Sequence, residues 1–315
     1  MTAINYNNNN LKHNFTQRFS EYYNLANIKH VLLKDTLWFD YQKSVIPLGP
    51  AKNDYSLNDY EIQLLLKKFS NSLLLRSTTG FKYSNNIENA TWYAIIKDQF
   101  VDIDSIKSYE GRKKVRRGLQ NCKVEKVESD FIGKYGYEVF ISAFDRYKNK
   151  SKPTVTAEQF RMKYFERKSF DDLFHYWGVF YNSKLIGFAE NLIYGSIEAN
   201  YSTMKFCPEY LKYYPSYALI YSMDNFYLND NKMEYVNDGF RSILHNTNIQ
   251  EFLVKNLHFK KESTNLIIHY KKSLSLAIST IFPILPLRNY LSKLFPKLNA
   301  LFILEEIRRS NIKSD

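Results

Sequence analysis

The chain has few of the residues on which several common protein classes depend. It contains 2 Cys, 10 Gly and 8 Pro among 315 residues. Cys122 and Cys207 cannot form a disulfide framework or a four-ligand zinc site, so we expect a cytoplasmic protein without a metal. The first ten residues lack the apolar core of a signal peptide, and no apolar run reaches the roughly 20 residues that span a bilayer. No nucleophile motif or glycine-rich phosphate loop is present.

A basic charge balance and many aromatic residues are what the chain does have. Lys and Arg number 44 against 32 Asp and Glu, a formal charge of +12, and there are 26 Tyr and 23 Phe. An excess of positive charge is typical of proteins that contact nucleic acid, an anionic membrane surface or a phosphate-bearing ligand, although it also serves solubility alone. The apolar fraction of 44% predicts a globular protein with one or two cores.

The hydrophobic pattern predicts an α/β protein with a mixed sheet. Short strands and one helix alternate over 30–100, and a basic helix at 105–120 precedes a strand at 123–127. Helices are predicted near 14–25, at 132–147 and at 157–167, and the last is followed by three consecutive strands from His175 to Phe206. The first two of these strands are joined by a predicted turn at Asn182-Ser183. An apolar helix at 216–228, a strand at 235, a helix at 248–256 and a last strand complete the order. An antiparallel meander that continues through helices into further strands predicts a mixed sheet with helices on both faces.

The carboxyl-terminal residues differ in composition from the rest. Residues 274–287 carry no charge and are interrupted by Pro283 and Pro286, and 289–307 has the periodicity of an amphipathic helix. An apolar face with basic flanks suits peripheral contact with a membrane surface through 273–307. The alternatives are packing on the chain's own amino-terminal half or on the second subunit of a homodimer.

The order of elements from about Cys122 to Tyr270 is similar to the GNAT fold of acyl-coenzyme A transferases. The segment Asn-Ile-Gln-Glu-Phe-Leu-Val-Lys-Asn-Leu-His-Phe at 248–259 resembles the last helix of that family. The basic stretch at 108–124 resembles the FemAB-like branch, which joins two GNAT-type halves and includes peptidoglycan-bridge aminoacyl transferases. The pattern Asp-Gly-x-Arg-Ser-x-x-His-x-Thr-Asn at 238–248 resembles bacterial acetyltransferases of that branch, several of them linked to surface-polysaccharide loci.

The resemblance implies a division of the chain into four parts. These are a flexible polar amino terminus at 1–28, a reduced GNAT-like subdomain at 29–104, a GNAT-like acyltransferase domain at 105–272 and an amphipathic basic tail at 273–315. The expected fold is a mixed, mainly antiparallel sheet flanked by helices.

One departure from the family pattern concerns the phosphate site. GNAT proteins have a glycine-rich segment before the helix that receives the coenzyme A pyrophosphate. The equivalent connector here, Pro-Glu-Tyr-Leu-Lys-Tyr-Tyr-Pro-Ser at 208–216, has no glycine. Amides at the start of the next helix still favour an anion, and Lys212 is placed to assist. Both acetyl-coenzyme A and aminoacyl-tRNA therefore stay open as donors.

The resemblance also implies site residues for acyl transfer to an amine, which needs a base, a group that holds the carbonyl and an acid for the leaving group. Glu190 has apolar neighbours that would raise its pKa toward neutrality, and Asp238 and His245 follow the strand end where the acceptor should lie. The candidate catalytic residues are Glu190, Asp238, His245 and Tyr221. The candidate cofactor-binding residues are Lys205, Lys212, Ser216, Tyr217 and Asn248, and the candidate substrate-binding residues are Arg241 and Asn246. The competing interpretations are an outward-facing strand residue for Glu190, turn formation and helix capping for residues 238–248, and core packing for the tyrosines.

The predicted function is that of an N-acyltransferase, which moves an acetyl group from acetyl-coenzyme A to an amino group of a sugar or cell-envelope precursor. The acceptor is expected to be a small molecule, either free or linked to a carrier. One alternative is an aminoacyl-tRNA-dependent peptidoglycan-bridge transferase, in which the basic helix at 112–117 contacts RNA. A second alternative is a catalytically degenerate scaffold at the inner face of the membrane.

Overall fold

The computed structural model of the chain describes residues 8–82, 91–146, 153–243 and 248–312. The helices are α1 (Asn8–Leu25), α2 (Asp59–Lys68), α3 (Tyr109–Asn121), α4 (Ser129–Tyr135), α5 (Tyr137–Ser142), α6 (Ala157–Glu166), α7 (Pro215–Asp224), α8 (Asn248–Leu257), α9 (Lys272–Ile281), α10 (Leu285–Leu294) and α11 (Pro296–Ile312). The strands are β1 (His30–Leu33), β2 (Thr36–Tyr41), β3 (Ser44–Leu48), β4 (Leu74–Thr78), β5 (Tyr93–Lys97), β6 (Lys123–Val127), β7 (Phe174–Tyr181), β8 (Lys184–Tyr194), β9 (Glu198–Phe206), β10 (Tyr235–Phe240), β11 (Lys260–Ser263) and β12 (Leu266–Tyr270).

Two compact units are assembled from interleaved segments of the chain. Unit 1 comprises Met1–Ala26, Ile96–Gly239 and Ile249–Lys260. Unit 2 comprises Asn27–Ile95, Phe240–Asn248 and Lys261–Asp315. The sequence-based division was into consecutive ranges, and its boundaries remain predictions.

In unit 1, four antiparallel strands are followed by a parallel one. Strands β6, β7, β8 and β9 form a meander, and β10 lies parallel to β9. Asn182 and Ser183 both have positive φ, as the two-residue turn predicted from the sequence requires. A parallel neighbour needs a crossover connection, and α7 with its π-helical continuation Asn225–Asp230 provides it.

Helix α1 packs on the aromatic core of unit 1. Phe19, Tyr22 and Tyr23 are buried, and Tyr22 and Phe19 make edge-on contacts with Phe174 at 4.9 and 5.9 Å between ring centroids. The helix predicted near residues 14–25 is thus confirmed. Phe19, Tyr22 and Tyr23 of this helix are part of the core, and the flexible terminus predicted for 1–28 stays a prediction.

The single helix predicted at 132–147 is wrong, because the chain breaks at Gly136. Helix α4 ends there and α5 begins, followed by the 3₁₀ turn Ala143–Arg146. A Cβ atom at Gly136 would lie 2.7 Å from the Ile132 carbonyl oxygen, so only glycine accepts this tight junction.

The basic helix α3 has one buried stripe of small residues. Gly111, Val115 and Gly118 are buried at intervals of four and three, and Ser108 caps the helix by accepting a hydrogen bond from the Gly111 amide. A Cβ at Gly118 would lie 2.7 Å from the Tyr214 carbonyl oxygen and 3.1 Å from the Ala218 nitrogen. The absence of a side chain at Gly118 therefore lets α3 lie directly on the start of α7.

Unit 2 repeats the same order of strands on a smaller scale. Its sheet has the order β1-β2-β3-β4-β12, in which β1, β2 and β3 form an antiparallel meander and β4 lies parallel to β3. Helix α2, which begins with a capping box between Asn58 and Glu61, connects these parallel strands. The core beneath α2 includes Trp38, Val45 and Leu65. A meander, a crossover helix and a parallel strand thus occur in both units, as expected for a reduced second GNAT-like half.

The carboxyl-terminal residues form three helices in unit 2. The predicted helix at 289–307 is interrupted at Phe295, where α10 ends and α11 begins with Pro296. Leu304 and Ile307 of α11 are buried against Leu74 and Trp92, so this helix packs on the protein itself. Within the described residues, no single helix is long and apolar enough to cross a bilayer, although α9 and α10 together meet that criterion across a bend of 117°.

Candidate functional site

The strands β9 and β10 separate toward their carboxyl ends. They pair only from Glu198 to Asn200 and from Tyr235 to Asn237, yet β9 continues to Phe206. Polar groups at the carboxyl ends of neighbouring parallel strands are where α/β folds bind ligands. The separation places Tyr201 of β9 and Asp238 of β10 at such a position. We call the region between the two separated strands the β9–β10 split.

The paired part of these strands is held by a buried carboxylate. Glu198 is fully buried and accepts hydrogen bonds from the Tyr235 hydroxyl at 2.5 Å and the Asn237 amide at 3.0 Å. Asn200 donates a third at 3.2 Å. Because each bond joins residues of the paired region, this cluster fixes where pairing ends and the split begins.

A buried ion pair lies next to the split. The Lys97 ammonium is 2.7 Å from the Asp224 carboxylate, and the Tyr201 hydroxyl donates to the same carboxylate at 2.8 Å. Burial raises the pKa of Asp224, an effect opposed by Lys97 and Tyr201, and burial raises the pKa of Tyr201 well above its ordinary value. Tyr201 therefore stays protonated, with its hydroxyl hydrogen directed at Asp224.

Asp238 is the acid at the mouth of the split. Its side chain is half-buried and takes no hydrogen bond or ion pair from the residues that the structure describes, although it interacts electrostatically with Tyr201. Burial raises the pKa of Asp238 to about 7. Asp238 and Gly239 lie within β10 rather than in the turn predicted from the Asp-Gly pair, so that prediction is wrong. Gly239 has φ of +90°, and a Cβ there would meet no described atom within 4 Å. Asp238 can accordingly exchange a proton near neutral pH.

A neutral hydrogen-bond network continues from Tyr201 along the α7 side of the sheet. The Tyr227 ring lies 6.2 Å from that of Tyr201, and its hydroxyl accepts hydrogen bonds from Trp177 and Asn191, each at 3.1 Å. His175 Nδ1 is also 3.1 Å from this hydroxyl, and burial, with the charge of Lys126, lowers the pKa of His175 to about 3. Tyr227 belongs to the π-helical turn, an irregularity that often marks functional sites.

Glu190 lies on the other side of β8, facing α6. Its carboxylate is 2.5 Å from Arg167 and 3.0 Å from Lys163. Burial by itself would raise the pKa of Glu190, but these two cations lower it to about 2. The expected shift toward neutrality is therefore wrong, because sequence neighbours do not reveal partners from another helix. Asn191 of the same strand contacts α7, so Glu190 and the polar network are on opposite sides of β8.

The predicted phosphate site at Ser216 lies next to the place where α3 packs on α7. The connector forms a 3₁₀ helix, Pro208–Tyr213, and Tyr214 precedes α7 with φ of 61°. The Tyr217 and Ala218 amides donate to the Tyr214 carbonyl at 3.2 and 3.3 Å, and α3 lies on this turn through Gly118. Ser216 itself is half-buried, and its role in phosphate binding remains a prediction.

A basic cavity lies along the exposed side of α3. It has a volume of about 260 Å³ and is lined by Tyr109, Arg112, Lys113, Arg116 and Arg117. Arg116 is paired with Asp104, and Arg112 donates to the Ile106 carbonyl at 2.5 Å. Among the described residues, Lys113 and Arg117 have no acidic partner, which leaves two cations for an anionic ligand. A larger cavity of about 550 Å³ near Cys122 and Asn182 contains only the mutually paired Lys123 and Glu125 as charged groups.

Comparison with known proteins gives a fold and no sequence family. No family model and no curated protein matches the chain. FemX matches with a TM-score of 0.56 and 10% identity, covering 88% of this chain and 99% of FemX. The chain has the GNAT fold in its FemX-like form.

Two further solved structures support this assignment of the GNAT fold. The C-terminal DUF2156 domain of an Agrobacterium fabrum protein described as a lysylphosphatidylglycerol synthetase has a TM-score of 0.51 at 13% identity, covering 85% of this chain and 96% of that domain. A Bacteroides thetaiotaomicron VPI-5482 protein of unknown function has a TM-score of 0.51 at 11% identity, with 83% and 92% covered. These likenesses confirm the predicted fold class and, at such identities, concern the fold alone.

The remaining predicted residues are dispersed over this GNAT fold. Lys205 lies over the Phe144 ring at 4.7 Å and Lys212 over the Tyr213 ring at 5.2 Å. Tyr217 packs edge-on against Phe252 at 4.8 Å, Tyr221 contacts Phe100 at 5.3 Å, and Asn248 begins α8. Arg241 belongs to unit 2, where it donates to the Thr91 carbonyl at 2.7 Å. His245 and Asn246 lie outside the described residues, and their roles remain predictions.

Sequence reasoning missed Lys97, Tyr201 and Asp224. Two signals were available, since Asp224 lies in the apolar helix that contains Leu219 and Met223, and Lys97 ends an apolar strand. A charge at the end of an apolar run is ordinarily solvated, so neither signal identifies a buried pair without the fold. No group of three or more His, Cys, Asp or Glu side chains among the described residues could hold a metal ion.

Proposed function

We propose that this protein is an acyltransferase that forms an amide at the β9–β10 split, with Asp238 as the general base. The observation that carries the proposal is Asp238 itself, a half-buried acid at the end of a separated parallel strand whose pKa is raised to about 7. A base with that pKa is matched to proton transfer at neutral pH.

The proposed reaction moves one proton from nitrogen to the leaving group. The neutral amine attacks the acyl carbonyl carbon, a C–N bond forms, and the C–S bond of a thioester or the C–O bond of an ester breaks. Asp238 accepts the proton from nitrogen and returns it to the departing sulfur or oxygen. The Lys97–Asp224 pair holds Tyr201 in place beside Asp238, so the surroundings of the base stay fixed during the transfer.

Acetyl-coenzyme A is the first donor that we propose, following from the resemblance to acyl-coenzyme A transferases. The proposed acceptor is an amino group of a sugar or cell-envelope precursor.

Aminoacyl-tRNA is the second candidate donor, and two observations favour it. The connector before α7 has no glycine and α3 packs closely on it, and the basic cavity on α3 presents Lys113 and Arg117 without acidic partners among the described residues. The name of the A. fabrum neighbour denotes a lysyl ester of a lipid, and the FemX-like form of the fold is the one shared here. The basic cavity would contact phosphates of the RNA, with a steep dependence on salt.

Calorimetric titration with acetyl-coenzyme A, desulfo-coenzyme A and aminoacyl-tRNA decides between the donors. The bound donor is then incubated with a panel of amino sugars and peptidoglycan-precursor peptides, and amide formation is read by mass spectrometry. We expect Asp238→Asn to reduce kcat/KM by about 100-fold or more with unchanged donor affinity. The matched control is Asp230→Asn, which changes an exposed acid of the π-helical turn. Equal activity of Asp238→Asn and Asp230→Asn would refute the role of Asp238, and binding of none of the donors would favour the scaffold alternative.

A further inference from the structure

The outer face of α9 and α10 is an exposed apolar surface within unit 2. Among the described residues, seven of the nineteen large apolar side chains that are exposed fall between residues 276 and 295. They are Leu276, Ile284, Leu285, Leu287, Tyr290, Leu294 and Phe295. So dense a cluster of exposed apolar residues marks an interaction surface, whereas single ones are normal. We call these seven side chains the α9–α10 face.

The opposite side of these helices is attached to α11, which fixes the direction of the face. Ile278 is buried, and the Phe282 ring lies 6.4 Å from Phe302. Arg288 forms an ion pair with Glu306 at 3.1 Å, and its guanidinium lies 4.7 Å from the Phe282 ring. Since α11 is itself packed on the unit 2 sheet, the α9–α10 face points away from the contacts that anchor the tail.

The charged residues of α9 and α10 themselves are all basic, and Glu306 of α11 pairs with one of them, Arg288. From Lys271 to Leu304 the sequence has five basic residues and no Asp or Glu. Lys272 and Lys293 are exposed or partly exposed and have no acidic partner among the described residues. An apolar face with cations at its border matches an anionic bilayer, where Lys and Arg are attracted to headgroups and apolar side chains enter the acyl boundary.

Two polar side chains of α9, Ser279 and Thr280, are hydrogen-bonded within the helix. The hydroxyls of Ser279 and Thr280 both donate to the Leu276 carbonyl at 2.9 Å. Internal hydrogen bonding lowers the cost of moving these residues out of water. The bend of 117° at Phe282–Ile284 means that α9 and α10 do not form one straight helix. Two helices bent in this way suit a position in the headgroup region of a bilayer better than a crossing of it.

We propose that the α9–α10 face docks on an anionic phospholipid bilayer and holds the protein at the membrane surface. The inference is independent of the proposed acyl transfer, because it uses none of the residues at the β9–β10 split. A bilayer fits better than a second copy of this chain, since two such faces would bring like charges together.

Vesicle flotation of the full chain tests the proposal. One vesicle preparation is phosphatidylcholine with about 30% phosphatidylglycerol, and the other is pure phosphatidylcholine. The face variant is Leu276→Ser/Leu285→Ser/Leu294→Ser. The matched control is Leu25→Ser/Leu32→Ser/Tyr60→Ser, which removes three exposed apolar side chains elsewhere. Circular dichroism melts confirm that both variants fold.

We expect the full chain and the control to float with the anionic vesicles and the face variant to partition at least about tenfold more weakly. Lys272→Gln/Lys293→Gln should lower partitioning into anionic vesicles by about fivefold per residue and leave pure phosphatidylcholine unaffected. In Tyr290→Trp, indole fluorescence should shift to the blue and be quenched by brominated lipid.

Three results would overturn the proposal. The first is that the full chain does not float with anionic vesicles, and the second is that the face variant and its control float equally. The third is that the full chain sediments as a homodimer and the face variant does not, while flotation is unchanged. The last would assign the face to a second copy of the chain.

Discussion

Replacing Asp238 with Asn should stabilise the folded protein while it abolishes catalysis. The carboxylate at the β9–β10 split has no hydrogen bond or ion pair among the described residues, and burial raises its pKa from 3.8 to about 7. Ionised Asp238 therefore costs folding free energy, whereas the neutral amide in the Asp238→Asn variant carries no charge to desolvate. Residues held in an unfavourable state for function often show this opposition between stability and activity.

The magnitude follows from proton linkage. Between the unfolded and folded pKa values the native state binds more protons than the unfolded state, so stability falls as pH rises from about 4 to about 7. A shift of roughly three units corresponds to an upper bound of about 4 kcal/mol. Since Asp238 is only half-buried, solvent screening reduces this value, and we expect Asp238→Asn to gain about 1–2 kcal/mol near pH 8.

Urea unfolding at about pH 5 and about pH 8 measures the effect. The gain of Asp238→Asn over wild type should be larger near pH 8, because only there is the native carboxylate fully ionised. Asp230→Asn, at an exposed position, should show no such difference. If Asp238→Asn were less stable than wild type near pH 8, the carboxylate would be making a favourable contact and the reasoning would fail.

Three further predictions concern the surroundings of the site, each measured by urea unfolding. Lys97→Met should lower the free energy of unfolding by about 3 kcal/mol, because Asp224 is then buried without its cation. The double variant Lys97→Met/Asp224→Leu should regain most of that free energy; no regain would show that packing, not charge, determines the loss. Gly118→Ala should lower the free energy of unfolding by about 1–3 kcal/mol, because the alanine methyl group would meet the backbone at the start of α7. Lys113→Ala, on the exposed side of α3, should change this free energy little. Glu190→Gln should lower the free energy of unfolding by about 3 kcal/mol near pH 7, because the variant loses the ion pairs with Arg167 and Lys163. This difference from wild type should shrink as the pH falls from about 4.5 toward 2, where Glu190 becomes protonated; a difference that did not change with pH would contradict the ion-pair interpretation.

Much of the element order followed from the sequence. The alternation of apolar residues predicted the three strands from His175 to Phe206, and Asn182-Ser183 predicted their first turn, because side-chain period and turn chemistry are local properties. The Asp-Gly pair predicted a turn, but Asp238 and Gly239 belong to β10, since Gly239 keeps the strand going with a positive φ. The break at Gly136 was missed, since a single glycine within a helical pattern is compatible with either outcome.

The partners of the charged residues were decided by tertiary structure. Glu190 and Asp238 are both acids in strands, and the sequence predicted a raised pKa for the first. The fold gives Glu190 two cations from α6 and the residue that follows it, which lower its pKa, while Asp238 has no cation among the described residues and its pKa is raised. Composition and periodicity therefore determined the helices and strands. The pKa values of the two acids were determined only by the packing of those elements, because burial and Coulomb interactions depend on distances between segments far apart in the chain.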